Sequence, residues 1–307
     1  MLVAVTGAEG FVGSVLCTSL RREGHEVVAI GRPGSESGLS LGAATGWTER
    51  LRTVDAVVHL AARAHITNET EADPLKVFRE INVEGARRVA AAAREAGVRR
   101  FVFVSSIGVF GSAREDVITE QSSIEPQEPY ALSKWQAEQA LHTLTADGGM
   151  ELTIVRPTLV YGPNAKGNFH RLMRLAGAGI PLPLGSIRNR RSFIGVENLC
   201  DLLLLCTTHP DAAGRMFVAA DAEVVSTSEL LSLISAAMQR RDLQFKFPLT
   251  GLRALMAVLG RGAEFDKLTS NLVVDAGYAR RVLSWTPAQD LKSGIQRMVD
   301  SFTGRSS

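Results

Sequence analysis

The chain has 307 residues, 45% of them hydrophobic, which is enough for one large core and a smaller second lobe. Its formal net charge is +2 and no basic block stands out, so nucleic acid is not expected as a partner. The six histidines are scattered and predict no metal site, and no apolar run approaches the roughly 20 residues of a membrane span.

The first residues, Met1–Thr6, resemble a buried strand more than a secretion signal. Three cysteines, Cys17, Cys200 and Cys206, lie in apolar helical patterns without paired spacing. That placement favours buried thiols in a reducing compartment. The sequence therefore predicts a cytoplasmic protein without a membrane partner. The apolar run Leu252–Leu259 contains Arg253, and we interpret it as a packing helix.

Short β-rich runs alternate with helical patterns through the N-terminal half. Strands are predicted at Val3–Thr6, Glu26–Ile30, Ala56–Leu60, Phe101–Ser105 and Leu152–Arg156, and helices at Phe11–Glu23, Asp73–Ala96 and Ala131–Thr145. The alternation predicts an α/β fold with a doubly wound parallel Rossmann sheet. Gly31–Arg52 carries little strand signal, and no third strand is placed there.

After about residue 160 the pattern changes, because prolines and glycines cluster at Tyr161–Pro163 and Gly179–Gly185. Helices are predicted at Val196–Thr207 and Thr227–Arg240, and Arg215–Ala219 is predicted to return to the sheet as a strand. We expect a dinucleotide-binding domain over residues 1–160 and a smaller, interleaved C-terminal substrate lobe over residues 161–307.

Glycines recur between the first predicted strand and the first predicted helix, in the run Thr6-Gly7-Ala8-Glu9-Gly10-Phe11-Val12-Gly13. Glycines allow a tight turn and a close approach of the backbone to a pyrophosphate. The N-terminus of the helix adds unbonded N–H groups and a positive dipole end. The strand–turn–helix context predicts a dinucleotide site.

The end of the second predicted strand bears on the choice of cofactor. NAD sites usually place an acidic residue there, which accepts hydrogen bonds from the ribose 2′-hydroxyl. This chain has Gly31 and Arg32 instead. Glycine leaves room for a 2′-phosphate and the guanidinium can pair with it. The sequence favours NADP(H), with NAD(H) as the alternative.

Tyr130 and Lys134 lie four residues apart in a predicted helix and share one face. An ammonium about 4 Å from a phenol is worth up to about 4 kcal/mol at an effective dielectric of about 20, roughly three pKa units. A phenol lowered in this way can exchange a proton with a substrate hydroxyl near neutral pH. Ser105 and Ser106 end a predicted strand, which places their hydroxyls at the ligand crevice.

With these residues the chain resembles the extended short-chain dehydrogenases/reductases, the epimerase/dehydratase group that acts on nucleotide sugars. The resemblance covers nearly the whole chain through the segments Thr6–Gly13, His59–Ala62, Asn82, Ser105–Gly111, Tyr130–Lys134 and Arg156–Pro163. It implies that Tyr130 is the general acid/base, that Lys134 lowers its pKa and holds the nicotinamide ribose, and that Ser106 is the catalytic serine.

The resemblance also implies binding residues. Those for the cofactor are Gly7, Gly10, Phe11, Val12, Gly13, Arg32, Leu60, Ala61, Ala62, Asn82, Tyr130, Lys134 and Pro157. Those for a UDP-sugar substrate are Ser106, Asn168 and Arg191 toward the sugar and the pyrophosphate, and Pro183 and Leu184 toward the uracil ring. Members of the group often form homodimers through two long helices, and Asp73–Ala96 and Ala131–Thr145 match these helices.

Three departures from the group's pattern concern the cofactor and the substrate. Gly31 replaces the usual Asp, the third-strand region is shortened, and Phe110 replaces a tyrosine after the catalytic serine. The resemblance is closest to enzymes of bacterial surface-polysaccharide synthesis. Because Arg32 suits NADPH, we expect C4 reduction of a UDP-4-keto-6-deoxy-hexosamine.

Three other activities compete with that expectation. 4-Epimerisation of a UDP-hexose is the first alternative, since it uses the same machinery. Dehydration is disfavoured because Ile107 and Gly108 stand where the group's dehydratases carry an acidic pair. A non-catalytic cofactor sensor is disfavoured because Tyr130 and Lys134 are both retained.

Overall fold

The computed structural model describes residues 1–32, 34, 38, 40–41, 46–64 and 73–305. Its strands are β1 (Leu2–Thr6), β2 (Glu26–Ile30), β3 (Ala56–His59), β4 (Arg100–Val104), β5 (Glu151–Pro157), β6 (Leu159–Tyr161), β7 (Arg191–Gly195), β8 (Met216–Ala219) and β9 (Val224–Val225).

The helices in the N-terminal half are α1 (Phe11–Arg22), α2 (Trp47–Leu51), α3 (Pro74–Phe78), α4 (Gly85–Glu95) and α5 (Pro129–Thr145). Those that follow are α6 (Asn168–Gly177), α7 (Val196–Thr208), α8 (Thr227–Ala237), α9 (Leu249–Val258), α10 (Gly262–Thr269), α11 (Gly277–Leu283) and α12 (Leu291–Thr303). Ile107–Phe110 and Pro210–Ala212 are short 3₁₀ turns.

Six strands form one parallel sheet in the order β2-β1-β3-β4-β5-β8. The strand order reverses at β1, because β2 lies on one side of it and β3 on the other. A reversal of this kind opens a crevice at the carboxyl ends of the two central strands, where α/β proteins bind ligands. The predicted doubly wound parallel sheet is confirmed, and so is the late strand that joins it as β8.

Helices cover the sheet on both faces, as continuous β-rich strands require. Buried residues of α1, α7 and α11 pack on one face in a cluster that includes Leu16, Leu203 and Trp285. Those of α2, α4 and α5 pack on the other face around Trp47, Phe101 and Leu141. Between β2 and β3 the described residues form α2 and no strand. The shortened third-strand region stays a prediction, because part of it lies outside the described residues.

The helix predicted at Asp73–Ala96 is interrupted. Asp73 caps its start as expected, accepting the N–H of Lys76 at 3.1 Å. Between α3 and α4, however, Arg79–Glu84 form a π-helical turn. A residue inserted into a helix rotates the side chains that follow it, and such turns are frequent at functional sites. The buried Asn82 lies in this turn.

A second sheet, in the order β6-β7-β9, underlies the C-terminal lobe. Helices α6, α8 and α12 pack over it in a separate core that includes Phe169, Leu230 and Met298. The division at residue 160 stays a prediction. No helix within the described part of the chain is long and apolar enough to cross a membrane.

The predicted packing helix at Leu252–Leu259 is a helix, α9, but its packing differs from the expectation. Only Leu252 is buried among the residues of α9, whereas Leu255, Val258 and the following Leu259 are exposed by 53%, 85% and 60%. The prediction was wrong about this face, because an apolar periodicity shows that a face exists without showing what covers it.

A buried hydrogen-bond cluster ties the second sheet to α7. The Tyr161 hydroxyl donates to Asp221 at 2.7 Å, and the same carboxylate accepts from Asn198 at 2.7 Å and from the Gly195 amide at 3.0 Å. Because the carboxylate is buried, each donor offsets part of its desolvation. Burial still raises the pKa of Asp221 above its ordinary value.

Tyr161→Phe should therefore lower the free energy of unfolding by about 1–3 kcal/mol, the usual cost of a buried hydrogen bond lost on one side. Urea denaturation measures it. Tyr278→Phe is the matched control, since the Tyr278 hydroxyl pairs with Arg215 at an exposed site, and its effect should stay below about 0.5 kcal/mol. Equal losses in the two variants would contradict the role of the cluster.

Candidate active site

The loop after β1 has room only for glycine at its critical positions. A Cβ on Gly13 would lie 2.1 Å from the Gly7 carbonyl oxygen, and Gly7 itself has φ +71°. Gly10 is the N-cap residue of α1 and has no side chain to cap it, so the first amides of the helix have no side-chain acceptor. A tight turn that ends in an uncapped helix N-terminus fits a dinucleotide pyrophosphate, with Phe11, Val12 and Gly13 supplying the amides.

The predicted cofactor path after β3 lies directly against this loop. A Cβ on Gly7 would lie 3.0 Å from the Ala61 nitrogen. The Thr6 carbonyl accepts the Leu60 amide at 3.2 Å, and the Thr6 hydroxyl accepts the Ala61 amide at 3.2 Å. The structure thus brings Leu60–Ala62 to the glycine loop at the sheet reversal.

Two opposite charges, Arg32 after β2 and Glu9 of the glycine loop, lie at the carboxyl end of β2. Gly31 ends the strand region without an acid and Arg32 is exposed, as the sequence implies. The Arg32 amide, however, donates to the Glu9 carboxylate at 3.5 Å. Sequence reasoning missed Glu9 because it lies 23 residues earlier, inside the glycine loop. A carboxylate here can accept from a ribose 2′-hydroxyl, in place of the missing acid on β2.

The two serines after β4 have different environments. Ser105 is buried and its hydroxyl donates to Glu138. Ser106 is half-buried, and its oxygen accepts the Gly108 amide at 3.1 Å, which leaves its own proton for a substrate oxygen. Gly108 lies between Ser106 and Ala131 of α5, since a Cβ added there would be 3.3 and 3.4 Å from their side chains. Ser106 therefore lies beside the helix that carries Tyr130.

Tyr130 is half-buried in the first turn of α5, where Phe78 contacts its ring edge-to-face at 6.0 Å. The sequence predicted a pKa lowered by Lys134. The structure gives the opposite direction, because burial raises the pKa of Tyr130 to about 12. Withdrawal of the phenol from water disfavours its anion, and this burial is the cause of the shift. The phenol is protonated at neutral pH.

Lys134 is almost completely buried, one turn after Tyr130. Its ammonium lies 4.0 Å from the centroid of the Phe103 ring, a cation–π contact. Burial lowers the pKa of Lys134 to about 7, while the Glu138 carboxylate opposes this shift. Burial of the ring, and to a smaller extent the same ammonium, lowers the pKa of His59 to about 3, so that this ring is neutral.

Glu138 is the buried carboxylate that lies between the cations Lys134 and Arg156. It is fully buried and accepts from Ser105 and from the Arg156 guanidinium, whose Nε lies 3.0 Å from Oε1. Arg156 in turn lies over the rings of Phe110 and Trp135. Sequence reasoning missed Glu138, although its position four residues after Lys134 on one helix was a usable signal.

Asn82 links the cofactor side to the catalytic helix. Its amide oxygen accepts the Arg63 amide at 2.8 Å, and its nitrogen donates to the Arg63 carbonyl at 3.1 Å and to the Ser133 hydroxyl at 2.9 Å. Ser133 donates to the Tyr130 carbonyl at 2.7 Å. Asn82 thus fixes both the chain after Ala62 and the first turn of α5.

The predicted substrate residues lie in the C-terminal lobe and differ in exposure. Asn168 is exposed as the first residue of α6, after Gly167 at φ +65°. Pro183 and Leu184 are half-buried, and Leu184 packs against the lobe core. Pro157 is buried at the carboxyl end of β5, on the same edge of the main sheet as the glycine loop.

Arg191 makes contacts that its predicted phosphate role did not anticipate. Its Nη1 donates to the Lys267 carbonyl at 2.8 Å and to Ser270 at 3.1 and 3.2 Å, at the end of α10. The Lys267 ammonium pairs with Glu128, the N-cap residue of α5, at 2.6 Å. Arg191 is thereby connected through α10 to the catalytic helix. A guanidinium has five N–H donors, so one occupied nitrogen leaves others for a phosphate.

Comparison with known proteins agrees with this geometry. The family model described as "NAD dependent epimerase/dehydratase family" matches residues 3–220. A UDP-glucose 4-epimerase of Vibrio cholerae is 36% identical over 98% of this chain and 95% of its own length. The N-acetyl-alpha-D-glucosaminyl-diphospho-ditrans,octacis-undecaprenol 4-epimerase of Escherichia coli O157:H7 is 25% identical over 80% of this chain and 76% of its own length.

Among solved structures, MoeE5 in complex with UDP-glucose and NAD superposes with a TM-score of 0.80 and 25% identity, and all of each chain is covered. One conclusion follows from the family model and from the Vibrio cholerae relative, which matches nearly the whole chain. The parallel sheet and its glycine loop agree with it. The chain is an enzyme that belongs to the NAD-dependent epimerase/dehydratase family.

Proposed function

We propose that the protein reduces a UDP-4-keto-6-deoxy-hexosamine at C4 with NADPH, in surface-polysaccharide synthesis. The observation that carries the proposal is that the candidate site holds two protonated hydrogen-bond donors. Ser106 keeps its hydroxyl proton, and burial holds Tyr130 as a phenol. Reduction of a ketone requires a proton donor at the carbonyl oxygen, which a phenol supplies and a phenolate does not.

When bound at the glycine loop, the nicotinamide cofactor would supply the hydride that C4 accepts. Ser106 donates a hydrogen bond to the C4 carbonyl oxygen, and Tyr130 transfers its proton to that oxygen as negative charge develops. Lys134 limits the cost of the phenolate left behind, because its ammonium is held in a low-dielectric pocket on the same helix. Asn82 positions this helix against the cofactor side.

Support for a UDP-sugar comes from the relatives and from the C-terminal lobe. MoeE5 binds UDP-glucose, and the Vibrio cholerae relative is a UDP-glucose 4-epimerase. In this chain Arg191 and Asn168 are proposed to bind the pyrophosphate, with Pro183 and Leu184 against the uracil ring. The half-buried apolar pair and the planar guanidinium have the chemistry that these two ligand parts need.

The cofactor preference rests on the two charges at the end of β2. The exposed Arg32 and the absence of an acid at Gly31 support NADP(H). The Glu9 carboxylate at the Arg32 amide is the feature that would support NAD(H), which MoeE5 binds. Because net reduction consumes the cofactor at every turnover, we propose NADPH as the reductant.

A 4-epimerase of UDP-glucose or a UDP-hexosamine is the second candidate, favoured by the 36% identity to the Vibrio cholerae enzyme. It would require Tyr130 to act first as a base, against the raised pKa of its phenol. The third alternative, a non-catalytic sensor, is set aside because the chain belongs to an enzyme family and its Ser/Tyr/Lys set is intact. We further propose a cytoplasmic homodimer formed through the adjacent helices α4 and α5.

Incubation with candidate substrates distinguishes the two activities. The purified protein receives NADPH with a UDP-4-keto-6-deoxy sugar and, in parallel, pairs of UDP-sugar epimers. Loss of one NADPH per sugar reduced supports the reductase. Interconversion of epimers without net loss of cofactor would establish the epimerase instead.

Tyr130→Phe should lower kcat by about 10²–10⁴-fold, the usual contribution of a positioned acid or base, while cofactor affinity changes little. Single-turnover kinetics and cofactor titration measure the two quantities. Tyr278→Phe, far along the chain in α11, serves as the control and should keep its activity. Turnover by Tyr130→Phe at the unmodified rate would remove Tyr130 from the mechanism.

Lys134→Met should separate stability from activity. The amine has a pKa of about 7 when folded and 10.5 ordinarily, so the unfolded chain binds more protons between these values. The free energy of unfolding of the unmodified protein should therefore rise with pH across that window. The variant loses this dependence, is more stable by about 1–4 kcal/mol at about pH 6, and is inactive.

Urea unfolding over that pH range measures the effect, with Lys166→Met, at an exposed lysine, as the control. The control should show no gain at any pH. A gain from Lys134→Met that is equal at every pH would show that the burial of the amine is not its cause.

Arg32→Ala should raise KM for NADPH by about 10- to 100-fold, the value of a hydrogen bond between charged groups, and change KM for NADH by less than about twofold. Glu9→Gln should act in the other direction, lowering KM for NADPH, because it removes the anion beside a 2′-phosphate. Steady-state kinetics with each cofactor measures both. A parallel loss for NADPH and NADH in Arg32→Ala would contradict the assignment.

A further inference from the structure

We propose that α9 and the residues before it dock on an anionic membrane surface. The relevant surface, named here the apolar patch, consists of Phe245, Phe247, Leu249, Leu255, Val258 and Leu259. These six lie within a stretch of 15 residues and account for half of the twelve large hydrophobic side chains that are exposed in the described chain. Such a concentration marks an interaction site on a folded protein.

The patch is continuous along the surface. Leu255, Val258 and Leu259 have the i, i+3, i+4 spacing of one helix face. The Phe247 ring lies 3.3 Å from the position of a Cβ on Gly251, in the first turn of α9, and 6.5 Å from the ring of Phe245. The exposed side chains before the helix and along it therefore form one surface.

The lobe does not use this face for its own packing. Of the residues in α9 only Leu252 is buried, and the neighbouring helix α10 buries only Phe265. Helix α9 has 10 residues, or about 15 Å, roughly half of what a membrane span requires. The geometry is that of a helix lying in the interface with one face in lipid.

The charge around the patch identifies the occupant. The segment 240–261 carries five cations, Arg240, Arg241, Lys246, Arg253 and Arg261, and one carboxylate, Asp242. Two of these cations are paired within 3.1 Å by α10, Arg253 with Asp266 and Arg261 with Glu264. Arg240, Arg241 and Lys246 remain exposed in the same segment, and Lys246 lies between the two phenylalanines in the chain.

Apolar side chains bordered by exposed cations are complementary to a bilayer with anionic headgroups, such as the cytoplasmic leaflet. A second copy of the chain fits less well, because the same cations would face each other across the contact. The patch belongs to the lobe that borders the catalytic helix, since α10 follows α9 and its Lys267 pairs with Glu128 at 2.6 Å.

Vesicle sedimentation with the full-length protein tests the proposal. The protein is mixed with vesicles of phosphatidylcholine alone or of phosphatidylcholine with phosphatidylglycerol, and the bound fraction is measured at low and high salt. We expect binding to the phosphatidylglycerol vesicles that weakens with salt, since the cations act through a screened attraction. Absence of binding, or equal binding to both vesicles, would overturn the proposal.

Two variants locate the contact. Leu255→Asp combined with Val258→Asp should reduce binding at least tenfold and keep the native circular dichroism spectrum, because both side chains are exposed. Arg241→Glu combined with Lys246→Glu should reduce it by at least about fivefold per residue. Val117→Asp, at a residue that is 48% exposed in the N-terminal half, is the control and should bind normally.

Sedimentation velocity on the same proteins tests the competing occupant of the patch, a second copy of the chain. A dimer that the Leu255→Asp/Val258→Asp variant converts to monomer, with no vesicle binding by either protein, would assign the patch to contact between copies and contradict the proposal. Turnover of a UDP-sugar plays no part in these measurements, so their failure leaves the proposed reaction untouched.

Discussion

The burial of the Lys134 ammonium is the constraint on which the site depends. An isolated cation in a protein interior is costly, and a structure retains it only where other charges and rings offset its desolvation. Here Phe103 of β4 provides a ring face at 4.0 Å and Glu138, one turn later on α5, provides a negative charge. Glu138 is itself buried and needs Arg156 of β5.

The resulting order of charges, cation–anion–cation, joins three neighbouring elements of the fold. Helix α5 carries Lys134 and Glu138, β5 carries Arg156, and the chain leaving β4 carries Ser105, which also binds Glu138. The crossover from β4 through α5 to β5 therefore has an electrostatic core as well as an apolar one. Ser106, next in the chain, is held at the carboxyl edge of the sheet by that arrangement.

Burial of the neighbouring side chains sets their protonation as well. It holds His59 neutral with a pKa of about 3 and Tyr130 protonated with a pKa of about 12. A reductase uses its acid in that form, whereas an epimerase must first remove a proton from its substrate. The raised pKa of Tyr130 thus follows from the packing of α5 and supports the proposed role of its phenol as a proton donor.

Much of this could be predicted from sequence, because it depends on local patterns. The glycine loop, the parallel sheet and the order of Ser106, Tyr130 and Lys134 follow from strand–turn–helix periodicity and from motif spacing. The π-helical turn around Asn82 could not, since a helical periodicity does not reveal an inserted residue.

Three further features escaped sequence reasoning for different physical reasons. The Tyr130 pKa was predicted in the wrong direction because a pair of residues was considered without the burial around it. Glu9 was missed because it meets Arg32 only after the sheet has formed. The face of α9 was misinterpreted because apolar spacing does not state whether protein covers it.

Transfer of deuterium from NADPH labelled at the nicotinamide C4 is the most direct test of the proposed reaction. After one turnover with a UDP-4-keto-6-deoxy sugar, mass spectrometry and proton NMR locate the label in the sugar. If the protein is the proposed reductase, the product carries one deuterium at C4 for each NADP⁺ formed. Conversion of a UDP-sugar to its C4 epimer with no deuterium at C4 would contradict it.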